Sequence, residues 1–156
     1  KERITVKGKI EFSESAWYEN SKSFVSLAED GTLLKIDSNG KISKEQVKGS
    51  NGLKITANEN ILVLLSDNIL KINNKEIQLD FGLYTTPSLY KFEGKSYISI
   101  ADTQAKKVYL FNENRELLPN FPTYGVGVSG IIITTKGGSG TALILGEGNE
   151  VILYNF

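Results

Sequence analysis

A short β-strand motif occurs four times along the 156-residue chain, and this repetition constrains the fold more than any other feature of the sequence. The copies are "TLLKID" (32–37), "NILKIN" (68–73), "KVYLFN" (107–112) and "EVILYN" (150–155). The last residue of each copy is Asp or Asn, and the residue before it is isoleucine, phenylalanine or tyrosine. These anchor residues are Ile36, Ile72, Phe111 and Tyr154. They recur about every 40 residues, a period typical of propeller blades.

Each anchor strand belongs to a larger repeated unit. An apolar strand precedes it across a tight acidic turn, as in "FVSLAEDG" (24–31), "ILVLLSDN" (61–68), "YISIADTQ" (97–104) and "ALILGEGN" (142–149). In the first three units another turn and strand follow: "KISKEQV" (41–47), "KEIQLD" (75–80) and "ELLPNFP" (116–122). A further candidate strand comes first in each unit: "SAWYEN" (15–20), "LKITAN" (53–58), "PSLYKF" (87–92) and "SGIIITT" (129–135). Alternating patterns separated by Asx and Gly turns indicate antiparallel strands.

The sequence therefore predicts an all-β fold of β-propeller-type repeats, with about four blades of four antiparallel strands. We expect a single domain over 1–156, with units at roughly 11–48, 49–81, 82–123 and 124–156. The last unit lacks an outer strand, and residues 1–10 form an alternating strand without a unit of its own. Residues 1–10 are thus a possible closing strand of a four-bladed ring. Alternatively, the chain is part of a larger propeller, in which case bare blade faces would favour a homo-oligomer. A β-sandwich is the third option.

The stretch "YISIADTQAKKVYLFNENRELLPNFPTYG" (97–125), together with "EVILYNF" (150–156), resembles the C-terminal propeller-repeat region of large bacterial proteins of unknown function, of the quinoprotein-like or WD40-like kind. The resemblance covers mainly residues 60–156, and it implies a fold without implying an activity. The chain departs from true quinoproteins because Trp17 is its only tryptophan. It also has no D-x-D-x-D-G calcium loop.

Composition limits the chemistry. The chain has no Cys, no His and no Met, so it has no thiolate nucleophile, no cysteine-ligated zinc and no imidazole base. Eighteen basic and eighteen acidic residues are interleaved, so we expect neither nucleic-acid binding nor a membrane interaction. The longest apolar run, 61–65, is too short for membrane insertion. The start at Lys1 suggests a processed product or an excised piece. The sequence does not determine the cellular location, and it slightly favours an extracytoplasmic one.

Three aromatic residues are the candidate contacts for a ligand or partner: Trp17, Tyr84 and Tyr124. Tyr84 and Tyr124 end two Phe-x-x-Tyr copies, "FGLY" (81–84) and "FPTY" (121–124). Both copies lie in the connection from one blade to the next, and the three rings could line the mouth of a propeller. Aromatic rings with a polar group suit sugar or protein contacts, although packing between blades also explains them.

No catalytic residue, metal site or cofactor is predicted. The five aspartates are mostly in turns, where Asx side chains bind nearby backbone amides. The Gly-rich stretch 135–149 is expected to be a hairpin loop, because strands rather than a helix follow it. The expected function is a non-catalytic interaction or scaffold module of a larger bacterial protein, with a protein partner or the rest of the parent chain. Carbohydrate binding through the aromatic connections is the alternative, and hydrolysis by paired carboxylates is a third.

Overall fold

The computed structural model describes residues 12–47, 53–133 and 140–156 of the chain. The chain divides into two compact units, Lys1–Leu79 and Asp80–Phe156. Each unit contains two antiparallel sheets, and within each sheet the strands follow one another as they do in the sequence.

The first unit is built from two four-stranded meanders. The strands of the first sheet are β1 (Phe12–Tyr18), β2 (Ser23–Ala28), β3 (Thr32–Asp37) and β4 (Ile42–Gln46), with a 3₁₀ turn (Glu19–Ser21) between β1 and β2. The strands of the second sheet are β5 (Lys54–Ala57), β6 (Leu62–Ser66), β7 (Ile69–Ile72) and β8 (Lys75–Gln78). The tight turns use residues with positive φ, such as Gly31 (80°) and Asp67 (53°), as glycine and Asx residues allow.

The core of the first unit lies between its two sheets. One face of the first sheet contributes Val25, Leu27 and Leu33. The facing residues of the second sheet are Ile55, Leu62 and Leu64. Strand β6 is buried along its whole length, which explains why its sequence, "LVLLS", is continuously apolar and does not alternate.

The second unit has one four-stranded and one three-stranded sheet among the described residues. The third sheet contains β9 (Ser88–Phe92), β10 (Lys95–Asp102), β11 (Lys107–Asn112) and β12 (Thr123–Tyr124). The fourth contains β13 (Gly127–Ile133), β14 (Gly140–Leu145) and β15 (Val151–Asn155). The two sheets share a core whose buried members are Tyr97, Ala101, Val108, Leu110, Phe121, Ala142 and Ile144.

The predicted fold class is confirmed, since all four sheets are antiparallel and each has three or four strands. One predicted strand is wrong. The segment "ELLPNFP" makes a single bridge, from Leu117 to Phe111, and the outer strand of the third sheet is instead β12, which pairs with Lys107 and Val108. Pro119 and Pro122 have no amide hydrogen to donate, so the segment cannot continue the ladder.

Several predictions concern parts of the chain that the structure does not describe. The possible closing strand, residues 1–10, is one of these, and the middle of the Gly-rich loop (134–139) is another. The strands β13 and β14 that flank this loop do pair antiparallel. Ring closure and the single domain stay predictions. In the described part of the chain, no helix has the length and apolar character needed to cross a bilayer.

Candidate functional site

The connections at one end of the second unit contact one another and form the candidate site. They are residues 80–85, which lead into the third sheet, 102–107 between β10 and β11, 123–126 around β12, and 146–150 between β14 and β15. We call this group the connector end.

The carboxylate of Asp102 fixes the first of these connections. Asp102 ends β10 and is only 1% exposed. Its Oδ1 accepts hydrogen bonds from the backbone amides of Gln104 (2.9 Å) and Ala105 (3.1 Å), which close the β10–β11 turn. It also accepts one from the amide of Leu83 (3.2 Å), so the same oxygen joins the turn to the connection. Charge-assisted bonds of this kind are stronger than neutral ones.

The backbone of the connection passes directly over this carboxylate. A Cβ atom added to Gly82 would lie 2.2 Å from Oδ2 of Asp102, so only glycine fits here. Two more backbone bonds continue the attachment: Thr103 donates to the carbonyl of Leu83, and Thr85 donates to that of Ala101, both at 2.8 Å. The segment 82–85 is therefore held as an irregular extension of the third sheet.

Two large apolar side chains lie at this fixed segment: Leu83 within it and Phe81 immediately before it. Phe81 is 92% exposed and Leu83 is 65% exposed. They flank Gly82, which faces Asp102. Successive residues therefore face alternately towards solvent and towards the carboxylate. These two neighbouring exposed apolar side chains are therefore the candidate contact residues of the connector end.

Tyr84, one of the three candidate contact residues, is largely buried. It is 7% exposed, its hydroxyl donates to the carbonyl of Asp80 (2.7 Å), and its ring lies edge-on to Tyr109 with centroids 6.2 Å apart. Burial raises the pKa of Tyr84, with a smaller contribution from the adjacent Tyr109. Tyr84 is thus a packing residue, and its ring offers no open face for stacking.

Tyr124 is accessible and lies beside an ion pair. Its side chain is 40% exposed, and its hydroxyl accepts a hydrogen bond from the backbone amide of Glu147 (3.4 Å). The carboxylate of Glu147 lies 2.8 Å from Nζ of Lys106, and this hydrogen bond raises the pKa of Lys106. A ring next to paired charges could contact either a polar ligand or a protein.

The two Phe-x-x-Tyr copies are reversed in burial, which the repeat did not predict. In the first copy, Phe81 is exposed and Tyr84 is buried; in the second, Phe121 is 7% exposed and Tyr124 is accessible. Phe121 is buried because it packs against rings at the C-terminal end, with centroids 6.4 Å from Tyr154 and 6.2 Å from Phe156. Equivalent positions in the sequence are therefore not equivalent surfaces.

Trp17 lies in the first unit, on β1. It is 38% exposed and lies edge-on to Phe24, with ring centroids 4.7 Å apart. Its Nε1 donates to the carboxylate of Glu19. Tyr84 and Tyr124 share the connector end of the second unit, and a ring of all three aromatics stays a prediction.

Asp30 and Asp37 also act within turns. Oδ1 of Asp30 accepts from the amide of Thr32 (2.9 Å), and this bond lowers the pKa of Asp30. Oδ1 of Asp37 accepts from the amides of Asn39 and Lys41, both at 2.9 Å. Within the described ranges, no group of three acidic side chains is arranged to hold a metal ion.

The first unit contains a cleft of about 230 Å³ that the sequence did not predict. Its floor includes Leu64 and Ile69, and Glu45, Lys71 and Glu76 lie at its charged side. Lys71 is 3.8 Å from Glu45, which also pairs with Lys35 at 3.2 Å. In the sequence, these charges resemble an ordinary solvated strand edge, so no signal indicated a cleft.

No protein-family profile matches the chain, and no curated protein matches it in sequence. Solved structures do match it in fold. The crystal structure of the computationally designed Ika4 protein has a TM-score of 0.58 and 17% identity, with coverage of 99% of this chain and 97% of that one. Dihydro-heme d1 dehydrogenase NirN, in complex with DHE, has a TM-score of 0.56 and 14% identity over 94% of this chain.

A third similar structure is the complex of the fission yeast SREBP–SCAP binding domains, with a TM-score of 0.57 and 18% identity over 99% of this chain. The chain spans 35% of the NirN chain and 48% of the SREBP–SCAP chain. At these identities the likeness concerns the fold alone. The structure and the comparisons together place the chain among all-β proteins built from propeller-type repeats.

Proposed function

We propose that the chain is a non-catalytic interaction module, and that its connector end binds a protein partner or another part of the parent chain. We retain the sequence-based expectation that the parent is a larger bacterial protein. The observation that carries this proposal is that Leu83 is exposed on a backbone that Asp102 holds in place, with the exposed Phe81 two residues before it.

The physical case is pre-organisation. Burying a Phe or Leu side chain contributes about 1.5–3 kcal/mol, and a flexible loop would lose part of this to ordering on binding. Three attachments to Asp102 and Thr103 order this segment before any partner arrives. The two side chains can therefore act as anchors at little entropic cost.

The absence of catalysis is also part of the proposal. The sequence contains no Cys and no His, and the carboxylates of Asp30, Asp37 and Asp102 accept hydrogen bonds from turn amides. A glycoside hydrolase of the usual type needs two carboxylates that face one bond. These aspartates instead lie in separate connections.

The proposal is tested by affinity capture from an extract of the source organism, followed by calorimetry with any captured protein. The wild-type chain is compared with the double variant Phe81→Ala/Leu83→Ala. Leu117→Ala is the matched control, because Leu117 is a partly exposed leucine of the same unit. We expect the control to keep the partner and the double variant to bind at least about 10-fold more weakly. An interaction that all three chains retain equally would contradict the proposal.

Carbohydrate binding is the alternative, and the accessible ring of Tyr124 beside Lys106 and Glu147 favours it. An oligosaccharide screen separates the two. Saturable binding that Tyr124→Ala abolishes and Phe81→Ala leaves unchanged would support the alternative. A screen without saturable binding would exclude it.

A further inference from the structure

Among the described residues, no strand covers the outer edge of the last strand, β15. Gly140 and Phe156 exchange two backbone hydrogen bonds (2.7 and 2.8 Å), and the amide of Gly146 donates to Glu150 (3.0 Å). Because hydrogen-bonded residues alternate along an antiparallel ladder, the backbone groups of Ile152 and Tyr154 point towards β14. Those of Val151, Leu153 and Asn155 point away from it. Among the described residues, β15 pairs with β14 alone.

Three other edge strands, β4, β8 and β12, carry features that discourage pairing with another chain. The four residues Lys44, Glu45, Lys75 and Glu76 place charges on β4 and β8, and β12 is only two residues long. Charges and short edges are the usual protection against edge-to-edge association. Strand β15, "VILYN", has no charge and no proline, and its pairing with β14 is regular.

The surface at this edge is apolar. Val151 is 59% exposed and Leu153 is 65% exposed, and they lie opposite Leu145 and Leu143 on β14. On the other face of the sheet, Ile152 and Tyr154 pack against the core of the unit and are partly buried. An occupant of the edge must therefore present apolar side chains on both of its faces.

We propose that a second copy of the chain occupies this edge, with β15 paired antiparallel to the partner's β15 around a two-fold axis at Leu153. The outward-facing residues are centred on Leu153, which would lie opposite the partner's Leu153. Ile152 would then lie opposite the partner's Tyr154, and Val151 opposite the partner's Asn155. A second β15 strand thus presents apolar side chains on both faces, as an occupant of this edge must. Such a self-complementary contact is the usual form of a two-fold dimer.

The polar groups and charges are compatible with this arrangement. The carbonyl of Asn155 already accepts a bond from Nδ2 of Asn120 (3.1 Å), and its second lone pair is available to the partner. The chain has no formal net charge, so two copies do not repel one another over long range. The pairing would join two three-stranded sheets into one continuous sheet. The contact uses neither Phe81 nor Leu83, so the inference does not rest on the proposed function.

Sedimentation over concentrations from about 1 µM to about 1 mM tests the inference, because a contact below standard size gives a weak dimer. We expect reversible dimers with a dissociation constant on the order of 100 µM. Leu153→Lys and Leu153→Glu should each be monomeric because like charges would face one another. An equimolar mixture of the two variants should regain a heterodimer. Ser43→Lys, an exposed position on β4, should dimerise as the wild type does.

Circular dichroism melting of each variant shows whether it is folded. A wild-type chain that is monomeric throughout, or a dimer that folded Leu153→Lys retains, would overturn the inference. A chain that lacks residues 1–10 identifies the main competitor. If the full chain is monomeric and the shortened chain dimerises, the chain's own first segment occupies the edge and the second copy does not.

Discussion

Gly82 lies so close to Asp102 that a Cβ atom on residue 82 would stand 2.2 Å from Oδ2 of the carboxylate. This contact places the connection 80–85 on the end of β10. It also directs the neighbouring Phe81 and Leu83 into solvent. The candidate site of the second unit depends on this relationship between a residue without a side chain and a buried charge.

The substitution Gly82→Ala should therefore destabilise the protein. The new methyl group must displace the carboxylate or the backbone, at a cost of about 2–3 kcal/mol. Gly127→Ala is the matched control, because a Cβ at Gly127 meets no atom within 4 Å, and its effect should stay within about 0.5 kcal/mol. Urea denaturation measures both. Equal midpoints for the two variants would contradict the predicted contact.

Removing the carboxylate itself should also destabilise the second unit. Asp102→Ala leaves three backbone amides without their shared acceptor, which costs about 2–4 kcal/mol at a buried site. The comparison is Asp30→Ala, which removes an exposed turn aspartate with one such bond, and which should cost less because water replaces the acceptor. Denaturation midpoints decide between them, and a larger loss from the Asp30 variant would refute the prediction.

The reversed burial of the two Phe-x-x-Tyr copies predicts that replacing the phenylalanine by alanine has a large effect on stability in one copy and a small effect in the other. Phe121→Ala opens a cavity beside Tyr154 and Phe156 and should cost about 3–5 kcal/mol. Phe81→Ala removes a ring that is 92% exposed, and its effect should stay within about 0.5 kcal/mol. Thermal and urea unfolding of both variants provide the test. Similar losses would mean that the two copies occupy similar environments.

Burial of Tyr84 predicts a loss of stability at alkaline pH. Burial raises the folded-state pKa of Tyr84, so the folded protein resists ionisation while the unfolded chain loses the proton near the ordinary pKa of about 10. This contribution to stability is complete below about pH 10 and is lost as the pH rises above it. Between about pH 8 and about pH 11, the urea midpoint should therefore fall less in Tyr84→Phe than in the wild type.

A second variant strengthens this test. Burial also raises the pKa of Tyr97, so Tyr97→Phe should remove another part of the same alkaline loss. Tyr84→Phe additionally loses the bond to Asp80, which lowers stability equally at both pH values and does not affect the difference. If the wild type and both variants lose the same stability between the two pH values, burial of these phenols is not the cause.

The repeated pattern was sufficient to predict the strands that carry the anchor residues. Ile36, Ile72, Phe111 and Tyr154 all lie on the predicted strands, because alternation and Asx turns depend on neighbours in the sequence. The outer strand of the third unit was mispredicted. There the prolines outweighed the apolar composition of "ELLPNFP".

The site was less predictable because it depends on contacts between distant segments. Asp67, Asp102 and Glu147 occupy equivalent turns in the sequence, and in the described part of the chain the carboxylate of Asp102 is the one that a connection passes over. The signal that could have indicated this contact is Gly82 within "FGLY", since a glycine between two apolar residues suggests a close backbone approach. The burial of Tyr84 and Phe121 likewise depends on rings far away in the sequence.

The most direct test of the account is amide hydrogen exchange at Leu83, measured by NMR. Its side chain is 65% exposed, but its N–H donates to the buried carboxylate of Asp102. The account predicts slow exchange of this amide in the wild type and fast exchange in Asp102→Ala, with amides in the β10–β11 ladder protected in both. Fast exchange of Leu83 in the wild type would show that the segment is not held, and would contradict the pre-organised contact site.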